Sequence, residues 1–428
     1  MLSKKVCILF FISICIKKDV PAQNDSAVFA TYTTLAHQTK IYNTLTSLIK
    51  KNLSIPLNDV TEEKWSDVFW AMELINYKSL WVNNRIHYAF DSILNRGSDF
   101  QRGFLELIYT NYPKQFSKEV SGLITQISQP KIFAMCSEYL LQNNSDNQTR
   151  SFIINLLKKT FGNNSEDAIL QSLTKRLQQN NVNTAYKILP DIFSKEFLAG
   201  NVIMYSIQRK KRDYPGIVII RDKQGNFIRE NNGKVFNVPQ LARSITNLPG
   251  YLTNGNTPQG IFRMYGFDVS ASNFIGPTTN VQLTMPVETS LQHFLKDTTI
   301  SDSVWTLKWY KKLLPEKIKN YSPLYESFYA GKAGRTEIIA HGTTINPDYY
   351  KNKPYYPHTP SQGCLCTKES WSPVNGKRLQ SDQQKLVDAL NIAGGPDGYT
   401  VVIELDDKSQ AVKFNDILPF ILKAESLK

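Results

Sequence analysis

The sequence predicts a multidomain protein of α and β character: an all-α domain of helical hairpins, then a β-rich domain with one or two packed helices. Three observations predict it. At 428 residues the chain exceeds what one hydrophobic core organises. Apolar residues recur at three and four spacing as far as Phe193. Beyond Leu198 the texture changes to alternating and continuous apolar runs broken by turn pairs. With 41% hydrophobic and 20% charged residues the composition is globular, so no long stretch reads as disordered.

Residues 1–22 read as an export signal. Lys4 and Lys5 form its positive end, Val6 to Ile16 its apolar run, and Val20-Pro21-Ala22 a small-residue cleavage site. The run is too short to span a bilayer. Lys17 and Lys18 directly after it keep a retained anchor as an alternative, and Cys15 a lipoprotein one, although Ile14 before it is large. The predicted location is the periplasm or cell envelope of a bacterium.

The helical domain is predicted over residues 23–197. Phe104, Leu105, Leu107, Ile108 and then Ile153, Ile154, Leu156, Leu157 mark apolar faces. Ser-, Asp- and Asn-rich breaks at 96–99, 143–146 and 163–166 supply helix starts. Segments of this length suggest antiparallel hairpins stacked as a short solenoid, a surface able to dock an envelope partner.

The second domain is predicted over 198–428. Asn201–Ile207 alternates, Gly216–Ile220 is a buried-strand run, and Gly225-Asn226 and Asn232-Gly233 are turn pairs. Further strands are expected at Gln282–Met285, Glu337–Ala340 and Tyr399–Leu405. Ser381 and Gln384 form a capping box for a helix that Gly394-Gly395 ends.

The formal charge is +13, and loss of four lysines and one aspartate with residues 1–22 leaves +10. Nucleic acid is the reflex partner for such a value. An exported chain instead meets wall polymers, acidic stem peptides and lipid headgroups, so nucleic acid is not predicted. The basic residues are scattered, and the one tight cluster, Arg209 to Arg212, reads as a solvated hairpin tip. Beyond residue 22 three cysteines remain, too few for a disulfide framework. Cys136 lies in an apolar run and reads as inert core.

The chemistry concentrates in two stretches, Ile338-Ile339-Ala340-His341-Gly342-Thr343-Thr344 and Pro360-Ser361-Gln362-Gly363-Cys364-Leu365-Cys366-Thr367-Lys368. A strand delivers His341 at its end, and Gly363 lets the backbone beside Cys364 approach a substrate. A thiol with its ordinary pKa of about 8.5 is mostly un-ionised at neutral pH, and a histidine in reach removes that handicap. Main-chain N–H groups around Gly363-Cys364 supply oxyanion donors, each worth roughly 3 kcal/mol in favourable cases. Nucleophile, base and oxyanion donors are the parts of acyl transfer.

These residues resemble the signature of the L,D-transpeptidase family: His-Gly-Thr at a strand end, then Ser-x-Gly-Cys and an apolar residue. Thr257-Pro258-Gln259-Gly260-Ile261-Phe262 resembles the family's turn ahead of the motifs, and the helix from Asp382 with the strand 398–403 its closing pair. The resemblance covers roughly residues 200–406. It implies a sandwich-like β fold, Cys364 as nucleophile, His341 as base, and Gly363, Gln362, Ser361, Gly342 and Thr343 in substrate positioning. It also implies peptidoglycan stem peptides as substrate, a thioester with the stem tetrapeptide, an amine acceptor, acylation by carbapenems, and neither cofactor nor metal.

Three features depart from the pattern. Gln362 replaces a histidine, Cys366 stands where Arg or Asn is usual, and 23 residues separate His341 from Cys364. Recognition of a substrate carboxylate then falls to Lys368, Lys377 or Arg378, with Tyr355, Tyr356 and His358 in a Tyr-rich insertion positioned to fold over the cleft. His358 itself reads as a solvated loop residue. Four alternatives stay open: Cys366 as nucleophile, a zinc site from both cysteines with His341 and His358, a Cys364–Cys366 disulfide, and a degenerate binding module. Water in place of the amine would give a carboxypeptidase.

Overall fold

The computed structural model describes residues 28–163, 166–178 and 185–426. The export signal read over 1–22 lies outside the described residues.

Nine helices precede the first strand among the described residues: α1 (Leu35–Ser54), α2 (Glu62–Leu74), α3 (Leu80–Asp91), α4 (Ser98–Asn111), α5 (Ser117–Leu123), α6 (Pro130–Asn143), α7 (Asn147–Phe161), α8 (Ala168–Gln178) and α9 (Leu189–Phe193). One predicted break caps a helix through its side chain, Asp146 accepting the Thr149 N–H at 2.7 Å. Helix α4 starts after Gly97 without a side-chain cap, and α3 is capped by Ser79, outside the predicted breaks, which accepts the Val82 N–H at 3.2 Å. Helices α2, α4, α6 and α8 pack in succession as one row. Their apolar faces share one core, including Trp65, Phe69, Phe104 and Phe133. Cys136 is fully buried there. Helix α9 departs from that row: Leu189, Ile192 and Phe193 pack on the β half, so packing changes earlier in the chain than texture does.

The second half is built on β1 (Val202–Gln208), β2 (Gly216–Arg221), β3 (Val238–Leu241), β4 (Gly260–Asp268), β5 (Asn280–Thr284), β6 (Ile339–His341), β7 (Leu365–Thr367) and β10 (Gly398–Glu404), with a two-stranded ribbon of β8 (Glu369–Trp371) and β9 (Arg378–Ser381). The expected sandwich is not formed. The eight strands close into one mixed barrel in the order β1-β10-β4-β5-β6-β7-β3-β2. Closure follows from two parallel pairings that local patterning does not encode. The first strand pairs with the last, Val202 opposite Gly398, and β6 pairs with β7, His341 opposite Cys366. Every strand thereby has two neighbours and no edge is left open.

The barrel interior takes alternate residues from all eight strands, among them Met204, Val218, Val238, Phe262, Leu283, Ala340, Leu365 and Val402. The expectation of one or two packed helices is also too small. Five occur among the described residues: α10 (Leu291–Leu295), α11 (Leu307–Lys311), α12 (Glu326–Lys332), α13 (Asp382–Ile392) and α14 (Leu418–Ser426). Helix α13 contributes Leu386 and Leu390 to the interior, while α10, α12 and α14 cover the outer face of β1, β2, β4 and β10. Ser381 caps α13 by accepting the Gln384 N–H at 2.8 Å. The reciprocal half of the predicted box is not made, because the Gln384 side chain bonds Arg378 and Asp388.

The cluster at 209–212 is a solvated tip only at Lys210 and Lys211. Arg209 is fully buried between Asp406 (2.8 Å) and Asp416 (2.6 Å), and Arg212 pairs with Glu404 at 2.9 Å.

Candidate active site

Strand alternation sets the site. Ala340 and Leu365 are register partners that point into the barrel, so His341 and Cys366 point outward, with Cys364 one step ahead on the same side. The imidazole and the thiol thus come from adjacent parallel strands, one carried by the exit of β6 and the other by the turn entering β7.

Gly363 makes that turn. Its φ is +119°, and a Cβ there would collide with the Arg335 guanidinium and the Gly255 carbonyl. The Ser361 hydroxyl holds the turn from both ends, accepting the Gly363 N–H (3.1 Å) and donating to the Cys364 carbonyl (2.9 Å). Thr257, in the resembling turn before β4, donates to the Gly363 carbonyl at 2.7 Å. The Gly363 N–H assigned from sequence to an oxyanion is therefore already engaged. Gln362 is exposed.

His341 is buried, and its Nδ1 bonds the carbonyl of Gly342. A carbonyl only accepts, so Nδ1 carries the proton and Nε2 presents a lone pair. That Nε2 is buried without a hydrogen-bond partner among the described residues. Burial lowers the imidazole pKa to about 4, which keeps it neutral at physiological pH. Cys364 is half-buried, and its Sγ lies 3.6 Å from the Glu337 carbonyl. No hydrogen bond joins it to His341. Burial pushes its thiol up, opposed by the Ile339 amide and the Arg335 charge.

Arg335 went unseen in the sequence because one arginine after a glycine carries no pattern. It is buried, and donates to the carbonyls of Gly250, Gly255 (2.5 Å) and Asn256 (2.6 Å). Burial depresses its pKa to about 10, and the neighbouring Cys364 opposes that shift. It places a fixed cation beside the sulfur. Glu369, equally unannounced, lies behind Gly342, where a Cβ would meet its carboxylate. Glu369 accepts the hydroxyls of Thr278 (2.6 Å) and Ser381 (2.5 Å), and burial raises its pKa to about 7.

The remaining predicted residues divide. Thr343 shares a 2.5 Å bond with Thr359, and both hydroxyls lower a Cys366 thiol that burial raises to about 12. Cys366 is thus the less ionisable sulfur. Arg378 is buried and bonds Thr278 (3.0 Å) and Gln384 (3.2 Å), away from open solvent. Tyr355 is buried against Leu241 and Tyr350 under the Arg243 guanidinium, whereas Tyr356 is exposed. His358 is not solvated as expected: it is part-buried, bonded to the Tyr355 carbonyl at 3.2 Å, and its Nε2 has no hydrogen-bond partner among the described residues. Lys368 is half-buried between β7 and β8. No group of three or more His, Cys, Asp or Glu is placed to hold a metal among the described residues.

The Tyr-rich insertion packs on the helical half, with the Tyr350 hydroxyl on the Leu74 carbonyl at 2.9 Å. Loop 245–256 does the same from the other side. Leu248, Tyr251 and Leu252 enter the helical core, and the Tyr251 hydroxyl donates to Glu138 at 2.7 Å.

Compared with known proteins, the chain matches no family, no curated protein and no solved structure. The resemblance to L,D-transpeptidases rests on its motif residues alone.

Proposed function

We propose that the chain is an exported cysteine acyltransferase of the L,D-transpeptidase kind, acting on peptidoglycan stem peptides in a bacterial envelope. The observation that supports it best is the placement of a proton-accepting His341 Nε2, without a hydrogen-bond partner among the described residues, at the exit of β6, with the Cys364 thiol in the turn entering the adjacent strand β7. The Gly342 carbonyl fixes the tautomer that a general base needs. A rotation of the thiol from the Glu337 carbonyl toward His341 would start the reaction, as catalytic contacts are often long before substrate binds.

In the proposed reaction Nε2 takes the thiol proton and Sγ attacks the carbonyl after the third stem residue. The tetrahedral intermediate collapses with loss of the terminal D-alanine, whose nitrogen receives the proton from His341. An amine from a second stem then attacks the thioester and restores the thiol. Water in that step would give carboxypeptidase activity, and the same residues serve both outcomes. Arg335 favours the thiolate by its charge.

The Sγ contact with the Glu337 carbonyl favours a second reading, a binding module that has lost catalysis. Incubation with a carbapenem separates the two. The acyltransferase gains one covalent mass adduct that Cys364→Ala lacks, and a wild-type chain without adduct refutes the enzyme.

A further inference from the structure

A cavity of about 230 Å³ lies on the seam between the two halves; neither Cys364 nor His341 lines it, although its Thr257 bonds Gly363 and its Gly250 and Asn256 bond Arg335. Its walls come from the helical half (Tyr109, Arg176), from the barrel (Lys210, Arg212, Glu404) and from Glu326 at the start of α12. The lining is mostly polar, with Pro249, Pro323 and Tyr321 as its apolar part, which favours a small polar occupant.

Most of its charges already cancel. Arg176 pairs with Glu138 at 2.7 Å, Arg212 with Glu404 at 2.9 Å, and Asp406 with Arg209 at 2.8 Å. Two charged groups are left over. Glu326 accepts the Gln259 main-chain N–H (3.0 Å) and its side-chain amide (3.1 Å), but pairs with no cation among the described residues. Lys210 is exposed at the rim, and its Nζ has no ion pair or hydrogen bond among the described residues. Burial and the neighbouring Glu404 raise the Glu326 carboxyl to about 7, opposed by the Gln259 N–H and the Arg176 and Arg212 charges, so a bound ammonium would favour its ionised form; with the Lys210 ammonium it complements a zwitterion. Arg176 Nη1 and Arg212 Nη2 bond nothing in their ion pairs, so both have N–H groups to spare for an anionic end.

Size narrows the ligand. At about 30 Å³ per water the space holds roughly seven or eight water-sized groups. Pockets for drug-sized ligands begin near roughly 300 Å³. A small amino acid fits within it.

We propose that the seam cavity binds a free small α-amino acid, its ammonium on Glu326 and its carboxylate on Lys210 and the spare arginine N–H groups. This goes beyond the acyl-transfer reading and does not depend on it. The test is titration calorimetry on the full chain with D-alanine, L-alanine, N-acetyl-alanine and alaninamide. At least one alanine enantiomer binds saturably, and blocking either charged end weakens binding by roughly tenfold or more, as for a lost charged hydrogen bond. Glu326→Gln and Lys210→Ala produce the same loss. The proposal is overturned if neither enantiomer binds, or if the blocked compounds bind as well as alanine. Because the blocked compounds are tested on wild-type protein, a variant that fails to fold does not remove the decision.

Discussion

Gly363→Ala probes the turn that presents the sulfur. The φ of +119° lies where a side chain is strained, a cost of about 1–3 kcal/mol. The added Cβ also meets the Arg335 guanidinium and the Gly255 carbonyl. Neither neighbour yields freely, since Arg335 is held by three carbonyls and Gly255 lies in a loop pinned to the helical core. Overpacking of this kind adds about 1–3 kcal/mol. The expected loss is therefore about 2–6 kcal/mol, a large share of a stability of about 5–15 kcal/mol. At about 2–4 °C per kcal/mol, the barrel's melting transition should fall by at least about 4 °C, and Cys364 should be alkylated at a changed rate. Gly395→Ala is the control, with φ +91° but open space around the added carbon, so it carries backbone strain alone. If both variants melt together, or Gly363→Ala melts with wild type, no close approach of Arg335 to the turn exists in solution.

Arg335→Gln should raise the pH midpoint of Cys364 alkylation, because the lost cation favours the thiolate. An unchanged midpoint would contradict that electrostatic role, and Arg335→Lys should restore part of the shift. His341→Ala should lower acyl transfer by roughly 10²–10⁴-fold, and an unchanged rate would contradict its role as base. Glu369 has its pKa raised from 4.5 to about 7, so the folded state keeps a proton that the unfolded chain releases. Stability should accordingly fall as pH rises from 4.5 through 7, by about 3 kcal/mol in full. Glu369→Gln should flatten that limb of a urea-unfolding series, and an equal slope in both proteins would be the refuting result. Arg209→Met should cost about 3–5 kcal/mol by leaving Asp406 and Asp416 without their shared cation. A change in urea midpoint worth under 1 kcal/mol would show that the two carboxylates find other partners.

Sequence periodicity locates elements but not their closure. The strand runs at 201–207, 216–220 and 399–405 each became a strand within a residue or two of the expected ends. Alternation marks β1 as a strand, and the structure buries it on both faces. The pattern is silent on which strand lies beside β1, and the separation of 196 positions between Val202 and its partner Gly398 hides the parallel pairing that closes the barrel. The same limit applies to the site. His341 and Cys364 are legible because rare residue types follow short motifs. Arg335 and Glu369 act through depth and neighbours, which a lone charged letter does not encode. The cluster at 209–212 misleads for a related reason: its carboxylate partners sit near residues 404–416, too far along the chain for local charge counting.

The helical half and the thiol turn are parts of one mechanical unit. Loop 245–256 supplies the carbonyls that fix Arg335, and its opposite side contributes Leu248, Tyr251 and Leu252 to the helical core. Each of those side chains, when fully buried, contributes about 1.5–3 kcal/mol, so together they outweigh the strain of a single positive-φ residue. Three polar ties set the loop's orientation, Tyr251 to Glu138 at 2.7 Å, Asn254 to Glu106 at 3.2 Å and, at the surface, Lys131 to Thr253 at 3.2 Å. Glu138 also holds Arg176, which faces the seam cavity. A displacement of the α4–α6 pair would therefore reach the cation beside Cys364 through one loop, with no need for the barrel to deform. On this geometry the helical half is a buttress for the nucleophile's electrostatic setting, whatever else it docks.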